Sequence, residues 1–304
     1  MLSARPAVVF VCAVALSVPQ ALAQDESWPR ALRHAMQRTA DIEWRLHVAA
    51  GQTCPAMAAA TGIILDSRDS YGERDQAMIG QILGLSDALQ VAAVAKDSPA
   101  ARAGIAAGDD LLSVDGAPLK FTAVKDESPR ALDAMEGLAR LSPGKPVIMV
   151  LRRDNKMFTV KVVPTSQCAS RIFVDAKNAI DAYTDGSNII ITARMVDFTQ
   201  SADELAILAG HELGHIIARD GEERSIGERR RMEDRADLVG ADLAACAGYD
   251  TKAAAPFWRR FEKTQVLRFI SIRLQSSGQA RVRNVKAQPF PPACPITHVP
   301  PLQQ

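Results

Sequence analysis

The chain has 304 residues, 47% hydrophobic and 23% charged, which suits two modest domains with cores of their own and excludes a disordered or fibrous chain. Its 36 basic and 35 acidic residues leave a formal charge of +1 with no basic stripe, and only 5% of residues are aromatic, so no nucleic-acid partner is expected. The N-terminus, MLSARPAVVFVCAVALSVPQALAQ, sets Arg5 before an apolar run at 7–18 and then Ala21-Leu22-Ala23. That is the pattern of a secretory signal peptide at 1–23, cut after Ala23. No later stretch reaches spanning length. The mature protein is expected to be exported and free of membrane spans, periplasmic where an outer membrane exists and secreted otherwise.

Export changes how the cysteines read. Cys12 leaves with the signal, and Cys54, Cys168, Cys246 and Cys294 remain. An even count in an oxidising compartment predicts disulfides. Four cysteines allow three pairings, among which sequence does not choose; the favoured one is Cys54–Cys168 with Cys246–Cys294, because the first pair brackets one module and the second lies within another. No CxxC or Cys/His spacing suggests a zinc ribbon.

Residues 24–60 read as an N-terminal helical segment expected to pack on the domain formed by residues 167–304. Within it, 29–50 read as an amphipathic helix: Leu32, Met36, Ala40 and Trp44 recur every fourth residue, and Ile42 and Leu46 widen the apolar side. His34 and His47 have no ligand-type neighbour at metal spacing and are read as surface or packing residues.

Residues 61–166 have dense local logic. After the strand VAAVA, Ser98 caps a short helix with Pro99 at its first position, and Gly104 ends it. Gly108-Asp109-Asp110 leads into LLSVD, and Asp115-Gly116 turns the chain again. A second helix over about 129–141 presents Leu132, Met135, Leu138 and Leu141. VIMVLRR, Asp154-Asn155 and MFTVKVV then read as a hairpin. The run SPAARAGIAAGDDLLSVDGAPL resembles PDZ domains of the bacterial protease-associated type. That resemblance implies a β-rich domain that binds the C-terminus of a peptide as an added strand between a β-strand and the second helix. It places the carboxylate-binding loop before GIIL, with Gly62 and Ile63 as groove residues. Thr61 stands where an apolar residue is usual, and 66–90 read as a long connection.

In residues 167–304, Ser201 and Glu204 form a capping box that opens a helix over about 202–218. This helix carries HELGH. Residues four apart share a helix face, so His211 and His215 can direct two imidazoles at one metal. Glu212, one position round, can reach a water activated there without ligating. In the next helix, RRMEDRADLVGADLAACAGYD, Glu233 and Asp237 repeat the four-residue spacing. Zinc catalysis wants three protein ligands and an open position: Glu233 fits as the third, and Asp237 as the group that orients a ligand histidine.

NAIDAYTDGSNIIITARMVDFTQSADELAILAGHELGHIIARD, EDRADLVGADLAACAGYD and FWRRFEK together resemble the M48 metallopeptidases. These are gluzincins that include the membrane-embedded HtpX-type and CAAX-prenyl proteases. The resemblance implies an α+β, zincin-like catalytic domain with the HExxH helix under a small mixed sheet. It also implies one Zn2+ held by His211, His215 and Glu233, Glu212 as general base, and Asp237 behind the ligands. Asp181-Ala182-Tyr183, with Asp181 where the family has Asn, and the strand Ile189-Ile190-Ile191 would then align an extended substrate at a sheet edge. His298 is the expected oxyanion donor, with Tyr183 and Tyr249 as others. The function expected is a zinc metalloendopeptidase acting on proteins or peptides, with a PDZ module that recruits substrate or gates the cleft. The rivals are a PDZ-led adaptor or chaperone with a latent or structural zinc site, and a zinc hydrolase of non-protein amides.

Overall fold

The computed structural model describes residues 27–118, 129–221, 225–264, 279, 281–283, 294–297 and 299. Residues 1–23, the expected signal peptide, and His298 lie outside them. Helix α1 (Trp28–Ala50) opens with Pro29 in its first turn and buries Leu32, Ala40, Ile42, Trp44 and Leu46, as the apolar spacing predicts, whereas Met36 is half-buried. Strand β1 (Met57–Ala60) follows, then β2 (Ile63–Asp66), a 3-10 turn at Arg68–Ser70, helix α2 (Glu73–Leu83) and β3 (Leu89–Val94). The expected plain connection over 66–90 therefore holds a helix. Only Ile79 of α2 is buried, so its sequence lacks the apolar stripe that would announce it.

Helix α3 (Pro99–Arg102) has Ser98 as its cap, the hydroxyl accepting from Ala101 N at 3.1 Å. After β4 (Asp110–Val114), β5 (Ala117–Pro118) and helix α4 (Arg130–Ala139), strands β6 (Val147–Arg153) and β7 (Lys156–Val162) make the expected hairpin. Asp154 and Asn155 both turn it with positive φ. The sheet order is β2-β3-β4-β6-β7, with β5 beside β4. Val91, Leu111, Met149 and Leu151 pack with Ala131, Ala134 and Leu138 of α4 in one core. Strand β2 is an edge, and α4 lies alongside it.

Strand β8 (Thr165–Cys168) pairs antiparallel with β1, from Met57↔Cys168 to Ala60↔Thr165. The Cys54–Cys168 disulfide closes that ladder, so the strands by which the chain enters and leaves the module are tied together. The second bridge is Cys246–Cys294.

The remaining elements are β9 (Ile172–Asp175), β10 (Ala182–Thr184), β11 (Ile189–Thr192), α5 (Ala193–Phe198), α6 (Ala202–Ala218), α7 (Ile226–Cys246), α8 (Thr251–Ala254) and α9 (Phe257–Thr264). The three strands form a mixed sheet, β11 running parallel to β9 and antiparallel to β10. Ile189 and Ile191 point into a core shared with Leu205, Leu208 and Leu213 of α6. This corrects one expectation: β11 is the central strand, not an edge, and its Ile189 and Ile191 are core residues. Edge or centre is decided by what pairs on either side, which an Ile-Ile-Ile run does not encode.

Helix α1 serves both halves. Ala40 and Trp44 pack on Ala93 and Ala95 of the PDZ-like half, while Ala35, Ile42, Leu46 and Ala49 join the α6 core. The amide of Gln37 bonds both Val94 O (2.8 Å) and Val94 N (3.2 Å), and Arg33 pairs with Asp66 at 2.9 Å. Among the described residues, no helix is long and apolar enough to cross a membrane.

Candidate metal centre

Helix α6 starts where the capping box places it. Ser201 Oγ accepts from Glu204 N at 3.2 Å, Glu204 accepts from Gln200 N at 2.7 Å, and Arg260 grips the same carboxylate at 2.6 and 2.9 Å. Helix α7 is capped the same way, by Ser225 on Glu228 N. The two helices touch backbone to backbone. A Cβ on Gly240 would lie 2.5 Å from His211 N, and one on Gly210 would lie 2.7 Å from Gly240 O. Only glycine permits that approach, and it lets Glu233 reach the two histidines.

The result is one cluster. His211 Nε2 and His215 Nε2 are 3.2 Å apart. Glu233 Oε2 lies 3.5 Å from the first, and Oε1 3.8 Å from the second. One donor atom from each residue falls within a 4.8 Å span. Glu233 Oε2 is buried and has no hydrogen-bond partner among the described residues. Two imidazole nitrogens and a carboxylate with an unsatisfied buried oxygen are a donor set that a divalent ion would satisfy.

Each imidazole is held from behind. His211 Nδ1 meets Asp237 Oδ1 at 2.9 Å, and His215 Nδ1 meets Asp220 Oδ2 at 2.8 Å. Such carboxylates fix the tautomer that leaves Nε2 free for an ion. Asp220 was not foreseen from the sequence. It reaches back because α6 ends in a left-handed residue, Arg219, whose turn bonds Asp220 N to His215 O at 3.0 Å. Both carboxylates are backed by guanidinium groups, Asp220 by Arg235 and Asp237 by Arg281. Arg281 Nε lies 2.8 Å from Asp237 Oδ2, and its Cζ sits 3.3 Å from the Trp258 ring centroid. Trp258 in turn meets His211 edge-on, with centroids 5.6 Å apart.

These charges set the titration of the cluster. Burial pulls His211 down and Arg281 adds to that, but the Asp237 and Glu233 carboxylates outweigh both and hold it up at about 9. Burial pushes Glu233 up, and the two histidines outweigh it, leaving Glu233 at about 2. Glu212 is raised, chiefly by burial.

An open cleft of about 510 Å³ exposes the cluster, with Glu212 and Ala182, Tyr183 and Thr184 of β10 in its wall. Here β10 is an edge strand. Asp181 is turned to Thr192, donating its N–H to Oγ1 at 3.3 Å and accepting from Thr192 N at 3.0 Å. Tyr249 is buried under Arg45, 4.2 Å from its ring centroid, and does not line the cleft.

Residues 152–229 match the model of peptidase family M48, and residues 90–153 match that of a PDZ domain. The chain carries a PDZ domain and an M48 peptidase domain. The peptidase match takes in His211, Glu212 and His215 and ends before Glu233. No curated protein matches the chain. Among solved structures, it is similar to "HtrA-type protease AlgW with decapeptide" at 22% identity, over 36% of this chain and 30% of that one, with a TM-score of 0.28. The HtrA3 PDZ domain bound to a phage-derived ligand matches at 20% identity, over 36% of this chain and 89% of that one, with a TM-score of 0.27. A serine endoprotease from Yersinia pestis matches at 28%, over 26% of this chain and 25% of that one, with a TM-score of 0.20. The chain spans 30% of the length of the first of these.

The PDZ domain meets the M48 domain at the three-stranded sheet. A groove of about 530 Å³ runs from Leu65, Leu132 and Met135 to Phe173, Ile190 and Tyr183. Those last three are register partners across the sheet, so their side chains share one face. Tyr183 also lines the cleft over the His211, His215 and Glu233 cluster and so belongs to both cavities.

Proposed function

We propose that the protein is an exported zinc metalloendopeptidase whose PDZ domain recruits peptide or protein substrates. The observation that carries this is the cluster itself: His211, His215 and Glu233 converge, Glu212 stands beside them in an open cleft, and an edge strand borders that cleft. His211, His215 and Glu233 would hold one zinc ion. Bound there, zinc supplies Lewis acidity to a scissile carbonyl and acidifies water. Glu212, already raised by burial, takes a proton from the attacking water and passes it to the leaving amine. Asp237 and Asp220 keep the two imidazoles in the tautomer that this geometry needs. The outer edge of β10 offers unpaired backbone groups to an extended peptide.

Recruitment is favoured over gating by the row Phe173–Ile190–Tyr183, which leads from the PDZ groove to the catalytic cleft. A chain bound beside β2 can continue across that row toward Glu212. The test is hydrolysis of unfolded casein by protein beginning at Gln24, before and after removal of metal with a chelator. Activity lost on chelation and restored by one equivalent of zinc is the expected result. Undiminished cleavage by the metal-free protein, or none by the zinc-loaded protein, would overturn the reading.

A further inference from the structure

At the loop end of the PDZ groove, Gly62 and Ile63 border a small cavity of about 70 Å³. The loop is tied down by its own bonds. Thr61 Oγ1 accepts from Ile63 N at 3.3 Å, Thr61 O from Ala100 N at 3.0 Å, and Gly62 O from Ala95 N at 2.8 Å. Gly62 sits at positive φ directly over Ser98, where a Cβ would come within 2.2 Å of the serine Cβ. The amide of Ile63 is thus already engaged within the loop.

The charge at this end comes from the other domain. Arg171, immediately before β9, lines the same cavity. Its Nη1 is buried and has no hydrogen-bond partner among the described residues, and the guanidinium forms no ion pair there. Its charged neighbours are Glu43 of α1 and Glu136 and Arg140 of α4. Glu136 and Arg140 pair with each other at 3.8 Å. Glu43 accepts from Ile172 N at 2.5 Å, and burial pushes it up to about 7, so near neutral pH it offers Arg171 only a partial counter-charge. A buried, unpaired guanidinium nitrogen is costly unless something fills the role. Small residues, Ala58, Ala60 and Ala139 among them, line much of the remaining wall, beside Met135 and Leu138 of α4 and the polar side chains of His47, Gln167 and Ser170. At roughly 30 Å³ per water the cavity has room for about two waters, which matches a carboxylate group.

We infer that Arg171 of the M48 domain completes the carboxylate-binding end of the PDZ groove and takes the free C-terminus of a peptide ending in a small apolar residue. The inference rests on reading the groove as a peptide site. It makes the ligand site a composite of both domains: Arg171 adjoins β9, which pairs with β11 over α6.

The test uses the full mature chain carrying Glu212→Gln, so that probes are not cut, and fluorescence anisotropy with fluorescein-Gly-Ser-Gly-Ser-Val-Val-Ala as free acid and as C-terminal amide. The acid should bind roughly tenfold or more tighter than the amide, as a charge-assisted bond implies. Arg171→Gln should abolish that difference by weakening the acid alone. Glu43→Gln retains an acceptor for Ile172 N and removes a competing negative charge, so it should tighten the acid and leave the amide unchanged. It carries the test if the Arg171 variant does not fold. An acid preference that survives Arg171→Gln, or is indifferent to Glu43→Gln where the first variant is unfolded, overturns the role of Arg171 and leaves the groove reading intact. Equal binding of acid and amide overturns it in favour of internal segments. Binding of neither overturns both it and the peptide reading of the groove, without touching the metal centre.

Discussion

Two helices of this protein carry titratable side chains four residues apart, and the two pairs behave oppositely. On α6, His211 and His215 each have a carboxylate at Nδ1, and opposite charges hold His211 up at about 9 and its neighbour Glu233 of α7 down at about 2. On α1, burial prevails: for Glu43 it outweighs the Ile172 N–H and the charge of Arg171, and for His47 it acts alone. Glu43 is pushed up to about 7 and His47 down to about 4, with Ser170 Oγ, 3.2 Å away, the partner of the His47 ring. Burial that outweighs the nearby counter-charge favours the neutral form of a group, whereas burial among several counter-charges keeps it ionised. The spacing is the same in both pairs, so spacing nominates a site and the surrounding charges determine what it can hold.

The largest break in this contrast should come from the helix contact. Gly240→Val places side-chain atoms where His211 N now lies within 2.5 Å of a Cβ position. The helices must part, at a cost of about 1–3 kcal/mol, and Glu233 moves away from the histidines. Thermal unfolding and zinc content, measured together, should both fall, whereas loss of stability with full zinc binding would show that the backbone contact does not set the cluster.

Next in size are the carboxylates behind the imidazoles. Asp220→Asn and Asp237→Asn should each weaken zinc binding by about 10–100-fold, measured by competition with a chromophoric chelator. The Asp237 variant should suffer more, since it also leaves Arg281 buried without its counter-charge. An unchanged affinity in both would mean that the imidazoles need no orientation.

The smallest effect sharpens the α1 side. Glu43 holds its proton more tightly in the folded protein, so its stabilising contribution is complete below pH 4.5 and is lost as pH rises to about 7. His47 runs the other way, its contribution being lost as pH falls from 6.5 toward about 4. Over their shared window the two slopes oppose each other. Glu43→Gln removes one of them, and the variant should gain on the wild type with rising pH by at most about 1.4 kcal/mol per unit. Urea midpoints at several pH values read this directly; parallel curves would place Glu43 in solvent.

Much of the catalytic half was legible because its signals are local. Ser201 and Glu204 announce a helix start, the 211/215 and 233/237 spacings follow from helical geometry, and in the PDZ half Asp154-Asn155 likewise marks a hairpin. What escaped depends on tertiary structure. Asp220 lies past the end of α6 and returns only through the turn at Arg219. Arg281 meets Asp237 across 44 residues of sequence. Gly210 reads as a helix weakness, yet its role is the close approach of Gly240. Arg171 belongs by sequence to one domain and by position to the cavity of the other. His298, the oxyanion donor expected from the sequence, falls outside the described residues.

The most direct measurement is casein hydrolysis by the zinc-loaded mature protein beside Glu212→Gln, with metal content determined on the same samples. Cleavage by the wild type, with a loss of about 10²-fold or more in the variant and one zinc retained in both, is the expected outcome. Equal cleavage by the two zinc-loaded proteins would contradict Glu212 as the base and, with it, the catalytic reading of the cluster.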